Sequence, residues 1–187
     1  MKIKIISFFT LFFTLFFSNS SFSIDSPNHL VKAKVLFNEI YDINISEGQY
    51  KVSVELLLSW DGNIDLFLKK FSDNVVHGEK LDNFLKEIWY PEFLIFNAEN
   101  PRTTHYQTLN VYDGKFQLFE RFESELTIDA DMPQYPFGNL NLNMDILAFS
   151  GNVNLMEFVP EEIIIGHNNN QDFNHKVIKG NWELDEK

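Results

Sequence analysis

The chain has 187 residues and a formal charge of −12, and it contains 20 phenylalanines but no cysteine. This acidity argues against nucleic acid or an anionic lipid surface as a partner, because both require clustered Lys and Arg side chains. Disulfides and thiol chemistry are excluded, so a single domain of this size must be held together by apolar burial alone.

Residues 1–23 are predicted to be a secretory signal peptide. Lys2 and Lys4 precede an apolar run from Ile5 to Phe17, and Ser21-Phe22-Ser23 follows as a cleavage site. The run is well short of the roughly 20 residues that cross a bilayer. We therefore expect an exported domain of residues 24–187, on the periplasmic or extracellular face of a membrane. Its charge is −14, because removing the two lysines subtracts 2 from −12.

Several segments of this domain alternate between apolar and polar residues, which is the pattern of strands with one buried face. They run from Tyr50 to Leu58, from Phe116 to Ile128 and from Leu140 to Ile146. Turn signals separate them at Glu47-Gly48, Asp61-Gly62-Asn63, Asp113-Gly114 and Ser150-Gly151-Asn152. Many short strands with regular turns predict an all-β sandwich or barrel.

One stretch follows the repeat of a helix instead. Leu81, Phe84, Leu85 and Ile88 recur at i, i+3, i+4 and i+7. This spacing places the four side chains on one face, so it predicts one short amphipathic helix.

The polar residues form no recognisable catalytic constellation. His167, His175 and Asp172 share a polar segment, which leaves a weak divalent-metal site open. Asp129 and Asp131 can serve acid–base chemistry, but their position where a strand ends favours capping of backbone N–H groups. We expect no enzyme activity, no cofactor and no metal.

Five motifs in a fixed order resemble the extracellular ligand-binding domain of pentameric ligand-gated ion channels, the Cys-loop receptor superfamily, in its prokaryotic form without the disulfide. The resemblance covers roughly Val31 to Trp182. The motifs are the segment VLFNEIYDINISEGQYKVSVELLLSW ending at Trp60, Trp89-Tyr90-Pro91-Glu92 with Phe96-Asn97, YDGKF, DMPQYPFG and AFSGN with Phe149.

The segment DMPQYPFG, residues 131–138, is similar to the signature loop of that family. Ile128 and Leu142 stand where animal receptors have the paired cysteines, and packing between two apolar residues is expected to close the loop. Gly138 replaces the aspartate that the family has after Pro-Phe, so a salt bridge from that position is absent.

The resemblance implies a twisted, immunoglobulin-like β-sandwich that assembles as a homopentamer. Phe96 and Phe149 would contact a small ligand between neighbouring subunits, and protons are an alternative agonist. Two loops would couple binding to a membrane pore; their residues are Asn44, Ile45, Ser46, Glu47, Asp131, Tyr135, Pro136 and Phe137. The last hairpin of the family and its transmembrane domain are absent before Lys187, so the chain is expected to be either a fragment or a truncated product.

Three alternatives stay open at this point. The chain can be a soluble secreted binding protein of the same fold, or an unrelated periplasmic β-sandwich binding module. Phe96 and Phe149 can also pack in the core and have no contact with a ligand.

Overall fold

The computed structural model describes residues 29–128, 140–149, 156–166 and 177–180. This part of the chain is mostly strand, with two short helices. The strands are β1 (His29–Asn44), β2 (Gln49–Trp60), β3 (Val75–His77), β4 (Phe93–Ile95), β5 (Thr103–Tyr112), β6 (Lys115–Thr127), β7 (Ile146–Ala148) and β8 (Met156–Ile165). The helices are α1 (Ile64–Lys70) and α2 (Glu79–Leu85).

The strands form two sheets of different size. The larger sheet has six strands in the order β3-β5-β6-β2-β1-β8, and the smaller sheet contains β4 and β7. Neighbouring strands are antiparallel, except that β8 runs parallel to β1. This arrangement confirms the all-β class that the alternating patterns predict.

Two tight turns fix the register of the long strands. The tip of the β1–β2 hairpin is residues 45–48, where Gly48 has a positive φ of 69° and its N–H donates to the Ile45 carbonyl at 3.2 Å. In the β5–β6 hairpin, Asp113 and Gly114 have φ of 48° and 71°. Two consecutive positive φ angles are typical of a type I′ turn, whose twist matches that of the flanking strands.

The core lies on the inward face of β2 and β6. Burial alternates without a break along β2 and nearly so along β6, as the sequence predicts. At one end of the sandwich Trp60 and Phe116 pack with Phe67 of α1 and Phe84 of α2, with ring centroids 5.5 to 6.2 Å apart for the phenylalanine pairs and 5.6 Å for Trp60–Phe116. Aromatic rings therefore supply much of the burial that replaces disulfides.

The prediction of one helix is wrong, because the described residues of the exported domain contain two. The predicted helix is α2, in which Leu81, Phe84 and Leu85 are buried, although Ile88 lies beyond its last residue. The additional helix, α1, spans only seven residues and follows Asn63, whose side chain accepts a hydrogen bond from the Leu66 N–H at 3.4 Å. Asn63 is therefore the N-cap of α1. The sequence Asp61-Gly62-Asn63 is also typical of a turn, which is why the helix that follows it was not predicted.

The predicted strand from Leu140 to Ile146 is also corrected. Its alternation is real, since Leu140, Leu142 and Met144 are partly buried while the residues between them are exposed. However, ladder pairing with β4 begins only at Ile146, so the strand is three residues long. Residues 140–145 alternate between partly buried and exposed side chains but are not part of a strand.

No helix in the described part of the chain is long and apolar enough to span a membrane. The predicted signal peptide lies outside the described residues.

Candidate functional site

The small sheet of β4 and β7, which we call the ribbon, carries both predicted ligand-binding aromatics. Its register pairs Phe93 with Ala148 and Ile95 with Ile146. Phe149 follows β7 and donates its N–H to the Glu92 carbonyl at 2.8 Å, whereas Phe96 follows β4 and donates to the Asp145 carbonyl at 2.8 Å. The two phenylalanines therefore extend the ribbon at its opposite ends.

Both aromatics lie on the outer face of the ribbon. Residues directly opposite each other in an antiparallel pair share a face, so Phe149 lies beside Glu92 and Phe96 beside Asp145. Phe96 is 68% exposed and Phe149 is 62% exposed. The alternative that Phe96 and Phe149 pack in the core is therefore wrong.

The ribbon does not bring the two rings into one compact cage. Four residue steps separate Phe96 from the position opposite Phe149, which corresponds to about 13 Å along the strand. Leu147, 46% exposed, lies between them on the same face. The outer face is thus an apolar strip with one carboxylate at each end.

A cleft of about 670 Å³ opens beside Phe149. Its walls come from the end of α2, from β5 and β6, and from the Phe149 end of the ribbon. The residues that line it are Asp82, Leu85, Lys86, Ile88, Tyr90, Pro91, Glu92, Phe93, Arg102, Gln107, Leu118, Glu120 and Phe149. This volume falls within the usual range for small-molecule sites.

One wall of the cleft contains a buried ion pair. Glu120 is only 1% exposed, and its two oxygens accept from Arg102 Nε at 2.7 Å and Arg102 Nη2 at 3.2 Å. Thr104 Oγ1 donates to the same carboxylate at 2.7 Å and Gln107 Nε2 at 3.4 Å. The buried negative charge is therefore compensated by four donors, which is the condition for keeping a carboxylate inside a protein.

Arg102 also contacts the ribbon directly. Its Nη1 donates to the Phe93 carbonyl at 3.2 Å, and its guanidinium carbon lies 3.9 Å from the centre of the Phe93 ring. The second interaction is a cation–π contact within the usual distance. Arg102 thus joins β6 of the large sheet to β4 of the ribbon.

At the mouth of the cleft, Tyr90 lies close to Glu92. Burial raises the pKa of the Tyr90 phenol, and a hydrogen bond to the Glu92 carboxylate raises that pKa further. Tyr90 stays protonated and Glu92 supplies a negative charge next to Phe149. The arrangement offers an aromatic face and a carboxylate side by side, which suits a cation.

The predicted coupling residues of the first hairpin and the turn of β5 and β6 lie at opposite ends of the strands of the large sheet. The Asn44 side chain bonds to two other residues of this tip: its Nδ2 donates to Glu47 Oε2 at 2.7 Å, and its Oδ1 accepts from Ser46 Oγ at 2.7 Å. The N–H of Ile128 donates to the Gly48 carbonyl at 2.7 Å. The hairpin tip therefore contacts Ile128, the last described residue before the predicted signature loop.

Asp131, Tyr135, Pro136 and Phe137 lie outside the described residues, as do His167, Asp172 and His175. Ile128 and Leu142, at the two ends of the loop, are both partly buried against the hydrophobic core. Contact between these two side chains stays a prediction. Among the described residues, no three His, Asp or Glu side chains are grouped as a metal site would require.

The sequence reasoning missed Glu120 and Arg102. Glu120 is in phase with Phe116, Leu118 and Phe122, so the alternation places a carboxylate on the buried face of β6. A charged residue in that phase signals a buried partner, and this signal was present in the sequence. Nothing in the pattern identifies Arg102 as the partner, because it lies in an irregular segment between β4 and β5.

Comparison with known proteins finds no protein-family model and no curated protein that matches the chain.

Proposed function

We propose that the chain is the ligand-binding domain of a pentameric ligand-gated ion channel subunit. The observation that carries the proposal is the exposure of Phe96 and Phe149. Both flank short strands whose inward residues are buried in β4 and partly buried in β7, yet both rings face outward on one strip. An exposed apolar strip of this kind is typical of a surface that a ligand or another subunit covers.

Two features support a coupling role for the same domain. The ribbon and the cleft lie beside β5 and β6, whereas the hairpin tip meets the residue that follows β6 through the hydrogen bond between Ile128 and Gly48. Strand β6 runs from one region to the other, from Lys115 to Thr127. A shift at the cleft can therefore reach the loops through a single strand, provided that ligand contacts differ between two states.

The proposed ligand is a small organic cation, bound where Phe149, Glu92 and Tyr90 line the mouth of the cleft. A cation over a well-placed phenyl ring gains about 0.5–2 kcal/mol, depending on how much water is excluded. The nearby Glu92 carboxylate adds attraction of the same sign. Protons are the second agonist that the carboxylates of this region would accommodate.

The experiment is a titration of the full chain with tetramethylammonium, followed by NMR of ¹⁵N-labelled protein. We expect saturable shifts at the amides of Glu92 and Phe149, and we expect Phe149→Ala to abolish them. Tyr112→Ala is the matched control, because Tyr112 is an aromatic residue of similar exposure, 66%, in the β5–β6 hairpin. Shifts that respond equally to both variants would reject this site.

A parallel acid titration separates protons from organic cations. If protons are the agonist, lowering the pH should shift the amides around Phe149 without tetramethylammonium, and Glu92→Gln should remove that response. Tetramethylammonium would then produce no saturable change. If neither tetramethylammonium nor acid shifts these amides, both proposed agonists are rejected.

A further inference from the structure

The two ends of the ribbon are attached to the large sheet in different ways. At the Phe96 end, the attachment is made by Asn97, whose carbonyl accepts from the Thr127 N–H at 2.9 Å. Its side chain donates to the Asn143 carbonyl at 2.7 Å and accepts from the Asp145 N–H at 3.0 Å. Backbone hydrogen bonds and a local side chain are sufficient there.

At the Phe149 end, the Phe93 ring is buried against Phe122 of β6, with ring centroids 6.2 Å apart, and a charged side chain from outside the ribbon adds a second attachment. Arg102 binds both the carbonyl and the ring of Phe93. Two contacts to one residue fix its position as well as its rotation about the strand axis. Because Phe93 pairs with Ala148, the constraint passes across the ribbon to the residue next to Phe149.

Arg102 is itself held in a fixed orientation. Its planar guanidinium donates through Nε and Nη2 to the two oxygens of Glu120, a geometry that a lysine cannot reproduce. Glu120 is oriented in turn by Thr104 and Gln107. The chain of contacts therefore runs from the rigid β6 strand to Arg102, then to Phe93 and the Phe149 end of the ribbon.

We propose that Arg102 is a positioning residue, which uses the buried Glu120 as its anchor to hold the Phe149 end of the ribbon in register with the cleft. The effect of Arg102 on ligand binding rests on the proposed function, since the cleft is the site that we assign to the ligand. The positioning role itself is independent of any ligand. Without the contacts of Arg102, we expect the position of the Phe149 end of the ribbon to vary, while the Asn97 end stays attached to the large sheet.

The absence of cysteine makes the test direct, because spin labels can be attached to two introduced cysteines in the full chain. The ribbon pair is Leu147→Cys with Tyr112→Cys, and the control pair is Tyr112→Cys with Glu157→Cys, which lies within the large sheet. Pulsed electron–electron double resonance then measures the distribution of distances between the two spin labels of each pair. We compare Arg102→Met, which keeps an apolar stem, and Arg102→Lys, which keeps the charge.

In Arg102→Met we expect a shifted or broadened distribution for the ribbon pair and an unchanged one for the control pair. Arg102→Lys should give an intermediate result, because a charge remains near Glu120 without the planar fork. If Arg102→Met fails to fold, Thr104→Val removes one anchor of Glu120 and should produce a smaller change of the same kind. An unchanged ribbon pair, or equal broadening of both pairs, would overturn the proposal.

Binding of tetramethylammonium separates this inference from the proposed function. If Arg102→Met lowers the fraction of competent ribbon to roughly a tenth, the apparent Kd rises roughly tenfold, and Arg102→Lys should restore part of the affinity. Equal affinity in Arg102→Met and the unaltered chain contradicts the positioning role. If tetramethylammonium binds neither, the proposed ligand fails, whereas the distances still decide whether Arg102 positions the ribbon.

Discussion

At the scale of single residues, Glu120 is a buried carboxylate that accepts hydrogen bonds from three side chains. It occupies an inward position of β6 between Leu118 and Phe122, where an apolar side chain would satisfy the alternation. An ionised carboxylate there is tolerated only because Arg102, Thr104 and Gln107 donate to it. The carboxylate cannot be removed without leaving the guanidinium of Arg102 short of its partner.

We predict that Glu120→Ala destabilises the domain by about 1–3 kcal/mol, the cost of leaving hydrogen-bonding groups without their partner, because the Arg102 side chain that loses the carboxylate is itself 25% exposed. The matched control is Lys115→Ala on the same strand, which removes an exposed ion pair with Asp61 at 2.7 Å. Its cost should be below about 1 kcal/mol. Urea unfolding followed by circular dichroism measures both, and similar losses in the two variants would contradict the buried pair.

A second prediction at this scale concerns pH. Burial first and the Glu123 carboxylate second raise the pKa of Tyr41 from 10.0 to about 12. The unfolded state therefore loses this proton at lower pH than the folded state. The stabilising contribution is complete below pH 10.0 and is lost as the pH rises to about 12.

Tyr41→Phe cannot ionise, so its stability should decline less steeply than that of the unaltered chain between these two pH values. Denaturant unfolding at a series of alkaline pH values measures the two slopes. Identical slopes would show that Tyr41 does not titrate differently in the folded state.

At the scale of elements, the strands β2 and β6 and the helix α2 were predictable from their repeats, whereas β5, β8, α1 and the three-residue strands were not. β2 and β6 have enough inward and outward positions for the alternation to define them, and their turns contain glycine where a positive φ is required. In contrast, α1 and the three-residue strands β4 and β7 are fixed by tertiary contacts rather than by a repeating pattern. The sequence therefore predicts the scaffold better than the ribbon, which carries the candidate site.

The same limit explains what was missed in the site itself. Phe96 and Phe149 were identified through their motifs, but their separation along the ribbon depends on the pairing of β4 with β7. The Arg102–Glu120 pair joins residues 18 positions apart through a side-chain contact. Contacts of this kind have no period in the sequence, although a carboxylate in the apolar phase of a strand indicates that one is needed.

The junction between β2 and α1 gives a prediction about an element boundary. A Cβ atom on Gly62 would lie 2.7 Å from two ring carbons of Phe116, which is too close for the ring to stay in place. Gly62→Ala should therefore destabilise the domain by about 1–3 kcal/mol through overpacking. Combining it with Phe116→Leu should produce less than the sum of the two losses, because the smaller side chain relieves the overlap.

Gly48→Ala serves as the control for this prediction. A Cβ atom on Gly48 would meet nothing within 4 Å, and only its φ of 69° opposes the substitution. That cost is about 1–2 kcal/mol, and Phe116→Leu should not reduce it. Thermal unfolding of the three single variants and the two double variants with Phe116→Leu measures both effects. Strict additivity of Gly62→Ala with Phe116→Leu would exclude a steric cause.

At the scale of the whole molecule, charge and apolar surface oppose each other. The formal charge of −12 makes copies of the chain repel each other at low ionic strength. The ribbon strip of Phe96, Leu147 and Phe149 favours association, because burying it removes apolar surface from water. Self-association of the chain is therefore expected to be stronger when salt screens the repulsion.

We predict that association of the full chain, measured by sedimentation velocity, strengthens as the salt concentration rises from about 0.02 to about 0.3 M, since the Debye length falls from roughly 20 Å to below 10 Å. Leu147→Asp should weaken association at every salt concentration, because it places a charge within the strip. Tyr112→Asp adds the same charge at an exposed site in the β5–β6 hairpin and should leave the strip intact. If both variants weaken association equally, added charge alone explains the effect and the strip is not the interface.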